Sequence, residues 1–324
     1  MATRRSVLAS MAAFTASEML PSAVLAQQFP VKPIRIIVPF PPGGPADTAV
    51  RVTLPGMEQV LGQSIIIENM GGAAGAIGLT RVLQAEPDGY TLLQAASPHT
   101  TTAVVRPAAN IDLLRDFVPI GQTGNSVYAL CASTALGAKT LAEVIARAKE
   151  KPGELKFGSV GVGSAHHLVT EIFKSAAGIE LTHVPYRGEA PAIIDLTAGR
   201  IDLMFLTTAK PLIDGGQVIG LGVTSAEPWF NLPQLKPLSE LGLKDLVVPG
   251  WNGLMAPKAT PPAVVAKLSE ALSAGLKTEA AIRALNGIGF KPGNGTPEPM
   301  RLQIIRDMEL FQKVVRERNL KFEN

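Results

Sequence analysis

Pro33-Ile34-Arg35-Ile36-Ile37-Val38-Pro39-Phe40-Pro41-Pro42-Gly43-Gly44-Pro45-Ala46-Asp47-Thr48-Ala49-Val50-Arg51 is the stretch whose reading decides the fold. Ile34 to Val38 is a short β-branched run bounded by prolines, and from Ala46 the apolar spacing turns helical through Val50, Leu54 and Met57. The segment therefore reads as strand, turn, helix. Pro39, Pro41 and Pro42 stiffen the turn, while Gly43 and Gly44 carry no Cβ and let the backbone approach a bound group closely. Pro45 suits the first helical position, and Asp47 places negative charge in the first turn, where the helix dipole favours it. Backbone N–H groups without partners at a helix start are a neutral way to hold an anion, so this turn is a candidate binding site.

Working outward, the same pattern recurs. Ser64 to Glu68 reads as a second strand, leading into Met70-Gly71-Gly72-Ala73-Ala74-Gly75-Ala76-Ile77-Gly78 and a helix ending near Ala85. No Gly-Lys-Ser/Thr follows and the G-x-G-x-x-G spacing is absent, so a tight turn with close helix packing is favoured over a phosphate loop. Tyr90 to Ala95 reads as a third strand, with Ser97 and His99 at its C-terminal end, where open α/β sheets collect ligands. Phe117 to Ala132 gives two strand-like runs separated by Gly121 to Asn125, and the chain is expected to cross there into a second domain. Thr140-Leu141-Ala142-Glu143 is a capping box. A strand at Leu155 to Gly158 feeds Ser159-Val160-Gly161-Val162-Gly163-Ser164-Ala165-His166-His167, a second small-residue turn opening a helix. Strands follow at Leu181 to Val184, Ile201 to Leu206 and Val218 to Val223, with a helix at Glu189 to Ala198; Ser225 to Val248 is proline-rich and irregular, and Pro249 to Leu254 returns the chain to the first domain. Helices are expected from Thr260-Pro261 to Lys277 and from Thr296-Pro297 to about Arg318, the latter with Leu302, Ile305, Met308, Leu310, Phe311 and Val315 as its apolar side.

Composition bounds the function. A chain of 324 residues suits two domains, and 46% hydrophobic against 18% charged residues excludes disorder. The net charge of +3 gives no basic stripe, which argues against a nucleic-acid partner. Cys131 has no partner cysteine and lies in an apolar run, as a buried small hydrophobe. Met1 to Ala26 has the form of an export signal, with Arg4 and Arg5, an apolar centre from Val7 to Ala16, and Val24-Leu25-Ala26 before the cleavage point; it suits the general secretory or the twin-arginine route. The destination expected is the periplasm. Four histidines without H-x-x-x-H spacing supply no metal site, and no cofactor is expected.

The turn at Pro33 to Arg51, together with Val184-Pro185-Tyr186-Arg187-Gly188 and Ala198-Gly199-Arg200-Ile201-Asp202-Leu203-Met204-Phe205, resembles the Bug, or TctC-like, extracytoplasmic solute receptors of tripartite tricarboxylate transport. The resemblance runs from about Pro33 to the C-terminus. It implies an α/β, two-lobed fold of the type II periplasmic-binding-protein kind with two hinge crossings: residues 27–126 and 253–324 in lobe 1, residues 127–252 in lobe 2. It also implies a monomeric receptor that captures a small organic carboxylate and serves two membrane transporter subunits. By the same resemblance Phe40, Gly43, Gly44, Ala46 and Asp47 form one side of a pincer, Ser97 and His99 reach the same ligand, and Ser159, Gly163, Ser164 and His167 face them from the other lobe. The chain departs from the family pattern at Pro45 and Ala46, which stand where a third glycine and a hydroxyl residue are usual; each lost donor is worth about 1 kcal/mol. His99 replaces a small hydroxylated residue and is expected to select an aromatic or second anionic group.

Several residues carry two readings. Arg187 either meets the distal end of the ligand or pairs with Glu189. Tyr186 accompanies it. Asp202 either accepts from the ligand or caps a neighbouring turn. Ser164 with His167 could be a nucleophile and base, giving a hydrolase on the same scaffold, but no G-x-S-x-G elbow is present and a helix-capping Ser164 is favoured.

Overall fold

The computed structural model describes residues 29–72, 75–105, 111–244 and 246–322. The export signal expected at Met1 to Ala26 lies outside the described residues, as do Ala73 and Ala74 of the glycine-rich turn.

Strand β1 (Ile34–Val38) buries every side chain except Arg35, as a β-branched run covered on both faces must. It pairs in parallel with β2 (Ile65–Asn69) and β3 (Thr91–Ala96), with Ile34 opposite Ile65 and Ile36 opposite Leu92. Beyond β3 the sheet turns antiparallel through β10 (Gly250–Pro257), β4 (Phe117–Ser126) and the short β11 (Lys291–Pro292), giving the order β11-β4-β10-β3-β1-β2. A second sheet has the order β7-β6-β8-β5-β9, from β5 (Ala129–Ser133), β6 (Lys156–Ser159), β7 (Thr182–Pro185), β8 (Leu203–Leu206) and β9 (Val218–Val223). Its β6, β7 and β8 run parallel, and β5 pairs antiparallel with β8 and β9. Only Val127 and Tyr128 separate the end of β4 in the first sheet from the start of β5 in the second. The chain returns at Gly250, which pairs with Ser126.

The elements differ from expectation in several places. The single helix after the first turn is two, α1 (Pro45–Arg51) and α2 (Leu54–Leu61), because Pro55 has no N–H to continue the ladder and the Thr53 hydroxyl donates back to the Val50 carbonyl. Gly121 to Asn125 is no linker but the middle of β4. Its glycine is required sterically: the segment at Gly295 crosses so closely that a Cβ on Gly121 would overlap the Gly295 carbonyl carbon. Gly121→Ala is therefore expected to cost about 1–3 kcal/mol of stability by urea titration, and an unchanged midpoint would contradict this packing. Helix α3 (Ala76–Leu83) agrees with expectation; Ser97 to Val105, expected as the end of a strand, is a helix (α4), and Leu113–Asp116 (α5) and Glu279–Gly287 (α11) are helices for which no element was expected. Helices α6 (Leu141–Glu150), α7 (Ala165–Ala177), α8 (Glu189–Thr197), α9 (Ala209–Asp214) and α10 (Pro262–Leu276) complete the layers. Thr140 Oγ1 accepts from the Glu143 amide, while the Glu143 carboxylate reaches the Lys139 amide at 2.6 Å.

The last helix, α12 (Pro297–Glu317), buries Met300, Ile304, Asp307, Phe311 and Val314, whereas Leu302 is exposed. The buried stripe is thus rotated from the expected one, with a carboxyl at its centre. Met300 and Ile304 join Ile37, Phe117 and Trp251 in the core of the first sheet; Phe311 and Val314 join Tyr128, Phe157 and Phe173 in the core of the second. Trp251 is a packing residue and donates through Nε1 to Asp307 at 2.8 Å.

Candidate functional site

The C-terminal ends of parallel strands from both sheets open onto one space of about 780 Å³. Pro39, Phe40 and Pro41 follow β1, Gly71 and Gly72 follow β2, and Pro98, Thr101 and Thr102 lie beyond β3. Opposite them, Val160 to His166 follow β6, and Tyr186 and Arg187 follow β7. Strand order puts these ends together because parallel strands carry their loops to the same edge. A second space of about 500 Å³ lies on the other side of the first turn, lined by Gly43, Pro45 and Thr48 against Leu206 to Pro211 and Trp229.

On the second-sheet side the site is built on the start of α7. Ser164 caps that helix, its Oγ accepting from the His167 amide at 3.3 Å. The amides of Ala165 and His166 have no acceptor within the helix, and both residues line the larger space. His166 donates from Nε2 to Glu189 at 3.0 Å, and Glu189 also accepts from the Thr207 amide (2.7 Å), the Thr207 hydroxyl (2.9 Å) and the Thr208 hydroxyl (3.0 Å). Burial would raise the Glu189 carboxyl, but the hydrogen bond and charge of His166, then the donors of Thr207, hold it at about 2. Glu189 is thus occupied by His166, Thr207 and Thr208, and of the two readings of Arg187 the pair with Glu189 is not formed. Arg187 is exposed on the wall. Tyr186 donates to Asp195 at 2.8 Å.

On the first-sheet side, the turn is held from within. Asp47 is buried and accepts from the Gly43 amide (2.8 Å), Arg51 Nε (2.8 Å) and Asn69 Nδ2 (2.9 Å). Burial opposes its charge, yet the Arg51 bond and the Gly43 and Asn69 donors hold its carboxyl below the usual range. Asp47 therefore fixes the turn and takes one of its free amides; it does not face the space. Ala46 is buried as well.

Several residues expected at the site lie behind it or away from it. His99 is buried, takes the Ala96 amide on Nδ1 at 2.9 Å, packs against Phe40, and sits behind Gly75. Burial pushes its ring down to about 4, so it is a neutral core residue and not a selector of anionic groups. Ser97 is buried at the start of α4. Ser159 is buried and bonded to His183 Nε2 at 2.6 Å. His167 accepts from the Gly163 amide at 3.1 Å and stacks on His183 at 4.1 Å, and burial, then the Lys174 charge, lowers its ring to about 4. Asp202 lies just before β8, at its N-terminal end, where its carboxylate caps the Lys156 amide at 2.7 Å. The capping reading of Asp202 is the observed one.

The comparisons agree with this geometry. Residues 49–320 match the tripartite tricarboxylate transporter family receptor, TctC. The chain belongs to this family. Protein BugT of Bordetella pertussis is 32% identical over 97% of this chain and 98% of its own. Among solved structures, the periplasmic binding protein BugD superposes with a TM-score of 0.75 at 29% identity over 91% of this chain and all of that one. MatC from Rhodopseudomonas palustris with bound malate gives 0.75 at 29% identity over 89% of this chain and 100% of that one. An R. palustris protein with adipate gives 0.76 at 31% identity over 89% and 97%. The two sheets are therefore the two lobes of a TctC-type binding protein.

For a TctC receptor the hydrolase alternative has no support. The Ser164 hydroxyl is engaged as a helix cap, and the His167 ring is turned to the Gly163 amide. Among the described residues no group of three or more His, Cys, Asp or Glu could hold a metal, and no helix is long and apolar enough to cross a membrane. The reading from sequence singled out His167 and passed over its neighbour. On α7 both faces are buried, and His167, Glu171 and Lys174 form the stripe covered by Arg318 and Phe322 of the C-terminal segment. Only the tertiary packing shows that His166 is the one on the cleft.

Proposed function

We propose that the chain is an exported, periplasmic receptor that captures a small organic carboxylate between its lobes and delivers it to the membrane subunits of a tripartite transporter. In this reading residues 1–26 are a removed leader, residues 27–126 and 253–324 form lobe 1, and residues 127–252 form lobe 2. The observation that carries it is the convergence of strand ends from both sheets on one space, with the N-terminus of α7 and the guanidinium of Arg187 on its wall. The helix start supplies amides and a dipole for one carboxylate, and Arg187 supplies a forked donor for another acidic group. That relatives of the same fold hold malate and adipate supports a carboxylate as the ligand class.

Each lobe brings part of the donor set, so an anion that bridges them favours the closed state by its differential contacts. The expected result is a melting temperature that climbs with the logarithm of acid concentration for one or a few members of a panel of mono-, di- and tricarboxylates. Arg187→Ala should weaken that response for acids with two or more carboxylates. A flat response across the panel, with native mass spectrometry of freshly purified protein showing no retained acid, would end this reading.

A further inference from the structure

For a site that holds an acid, the larger interlobe space carries little charge. Among the described residues on its wall there is no Asp, Glu or Lys, and Arg187 is the one side chain with a permanent charge. Apolar side chains line it from both lobes. Phe40, Pro41 and Pro98 stand on the first-sheet side, and Val160 and Val162 on the second-sheet side; Pro41 and Pro98 are exposed, and Val162 is 55% exposed. Gly161 and Gly163 hold φ of +128° and +75°, so the loop turns on either side of Val162 in conformations that disfavour a β-branched residue, and Val162 is left at an exposed bend. A lone exposed valine is ordinary, but apolar groups that confront one another across a cleft are covered together when the cleft closes. We infer that the captured acid has an apolar body, a hydrocarbon chain or ring free of hydroxyl and amino groups, held between Val162 and the proline-rich turn while its carboxylate meets the α7 amides. The inference rests on the receptor reading above and narrows it.

The polar side chains of the wall point to the same ligand, because most are spent on protein partners. The Thr101 and Thr102 hydroxyls donate to the Pro98 carbonyl, the Tyr186 hydroxyl donates to Asp195, and the His166 ring has Nε2 on Glu189 and Nδ1 buried. The groups left over are donors: the amides at the start of α7, the Ser164 hydroxyl and the Arg187 guanidinium. Donors of this kind match carboxylate oxygens, one acid group at the helix start and a second, where the ligand has one, at Arg187. A ligand hydroxyl or ammonium drawn between the lobes gives up its water and meets no carboxylate or imidazole acceptor, which costs affinity. A methylene gains instead, by about fourfold in affinity for each one fully buried.

Two series of acids at fixed charge test this, titrated calorimetrically into the mature protein: acetate, butyrate, hexanoate and phenylacetate, then succinate, adipate, suberate and phenylenediacetate. In at least one series the affinity should rise about tenfold or more from the shortest member to the longest or the ring-bearing one, with a binding heat capacity that grows more negative, the mark of apolar burial. A rise along the chains identifies an aliphatic body and a rise confined to the ring-bearing acids an aromatic one; both uphold the proposal. Malate and aspartate should each bind more weakly than succinate. Val162→Ser should cut the gain by about threefold or more and leave the shortest acids unchanged, whereas Val162→Leu should keep it. Affinity that is flat or falls along both series overturns the proposal, as does malate or aspartate binding more tightly than succinate, or a gain that survives Val162→Ser intact. In each of those cases the receptor reading stands, because acids still bind. Failure of every acid to bind removes both.

Discussion

Glu189→Ala is expected to lower the stability of the protein by about 3–5 kcal/mol, the range for deleting one partner of a buried, hydrogen-bonded charge pair. The carboxylate accepts from His166 and from three donors of Thr207 and Thr208, and its removal orphans all of them in a partly buried pocket. A gentler variant, Glu189→Gln, isolates the charge. The folded carboxyl is held at about 2 against an ordinary value of 4.5. The value is depressed, so its stabilisation is fully present above about pH 4.5 and is lost as pH falls towards 2. It amounts to roughly 3 kcal/mol at 1.36 kcal/mol for each unit of pKa. Asp47, Asp116 and Glu180 are also held low and contribute to acid unfolding, so the quantity to measure is the difference between wild type and Glu189→Gln by urea titration from pH 6 to pH 2. That difference should shrink steadily below pH 4.5. Parallel curves over the whole range would show that Glu189 carries no such charge.

Asp307→Asn should do the reverse and stabilise the protein above neutrality. Asp307 is 3% exposed on the buried stripe of α12, where Trp251 Nε1 and Gln303 Nε2 donate to its two oxygens. Burial pushes its carboxyl up to about 6, and the two donors and the charge of Arg306 only partly oppose that. An acid raised in this way is most favourable when protonated: its contribution is full below about 3.8, its ordinary value, and is lost as pH rises through 6. At pH 8 the buried anion then costs roughly 3 kcal/mol relative to a neutral group. Asparagine keeps an acceptor for Trp251 and removes the charge. Its other end requires Gln303 to turn its amide over, which is the same cost at every pH. The stability gap between variant and wild type should therefore open by about 2–3 kcal/mol between pH 4 and pH 8. A gap that stays constant across that interval would refute the charge argument.

The two carboxyls show how burial alone does not set a protonation state. Glu189 and Asp307 are both acids in low-dielectric surroundings, but Glu189 has a histidine and three further donors, whereas Asp307 has two neutral donors. No local pattern in the sequence distinguishes them. Asp307 sits four residues from Phe311 and three from Ile304 on a helix whose Leu302, Ile305 and Met308 offered an equally good apolar stripe. The stripe that is buried was selected by where β10 places Trp251, which is information from a distant part of the chain.

The candidate site divides in the same way. The proline- and glycine-bounded turn, the capped start of α7 and the strand ends were legible, because each is specified by residues within a few positions: a β-branched run, a missing N–H, a hydroxyl at the N-cap. Phe40, Gly163, Ser164, Tyr186 and Arg187, expected at the ligand through the family resemblance, line the larger space. His99, Ser159, His167 and Asp202 were not distinguishable from wall residues, since a polar side chain near a strand end reads the same in sequence whether its loop turns it inward or outward.

Short-range chemistry along the chain thus set the element types, the alternation of strand and helix, and the turns that end each parallel strand, since those depend on torsional preference and on amides left without partners nearby. Which of two adjacent histidines meets the cleft, which side of the last helix is covered, and which carboxylate keeps its charge were decided only when remote segments packed against one another. Burial and hydrogen-bond partners are properties of that assembly, and neither is encoded within a window of a few residues.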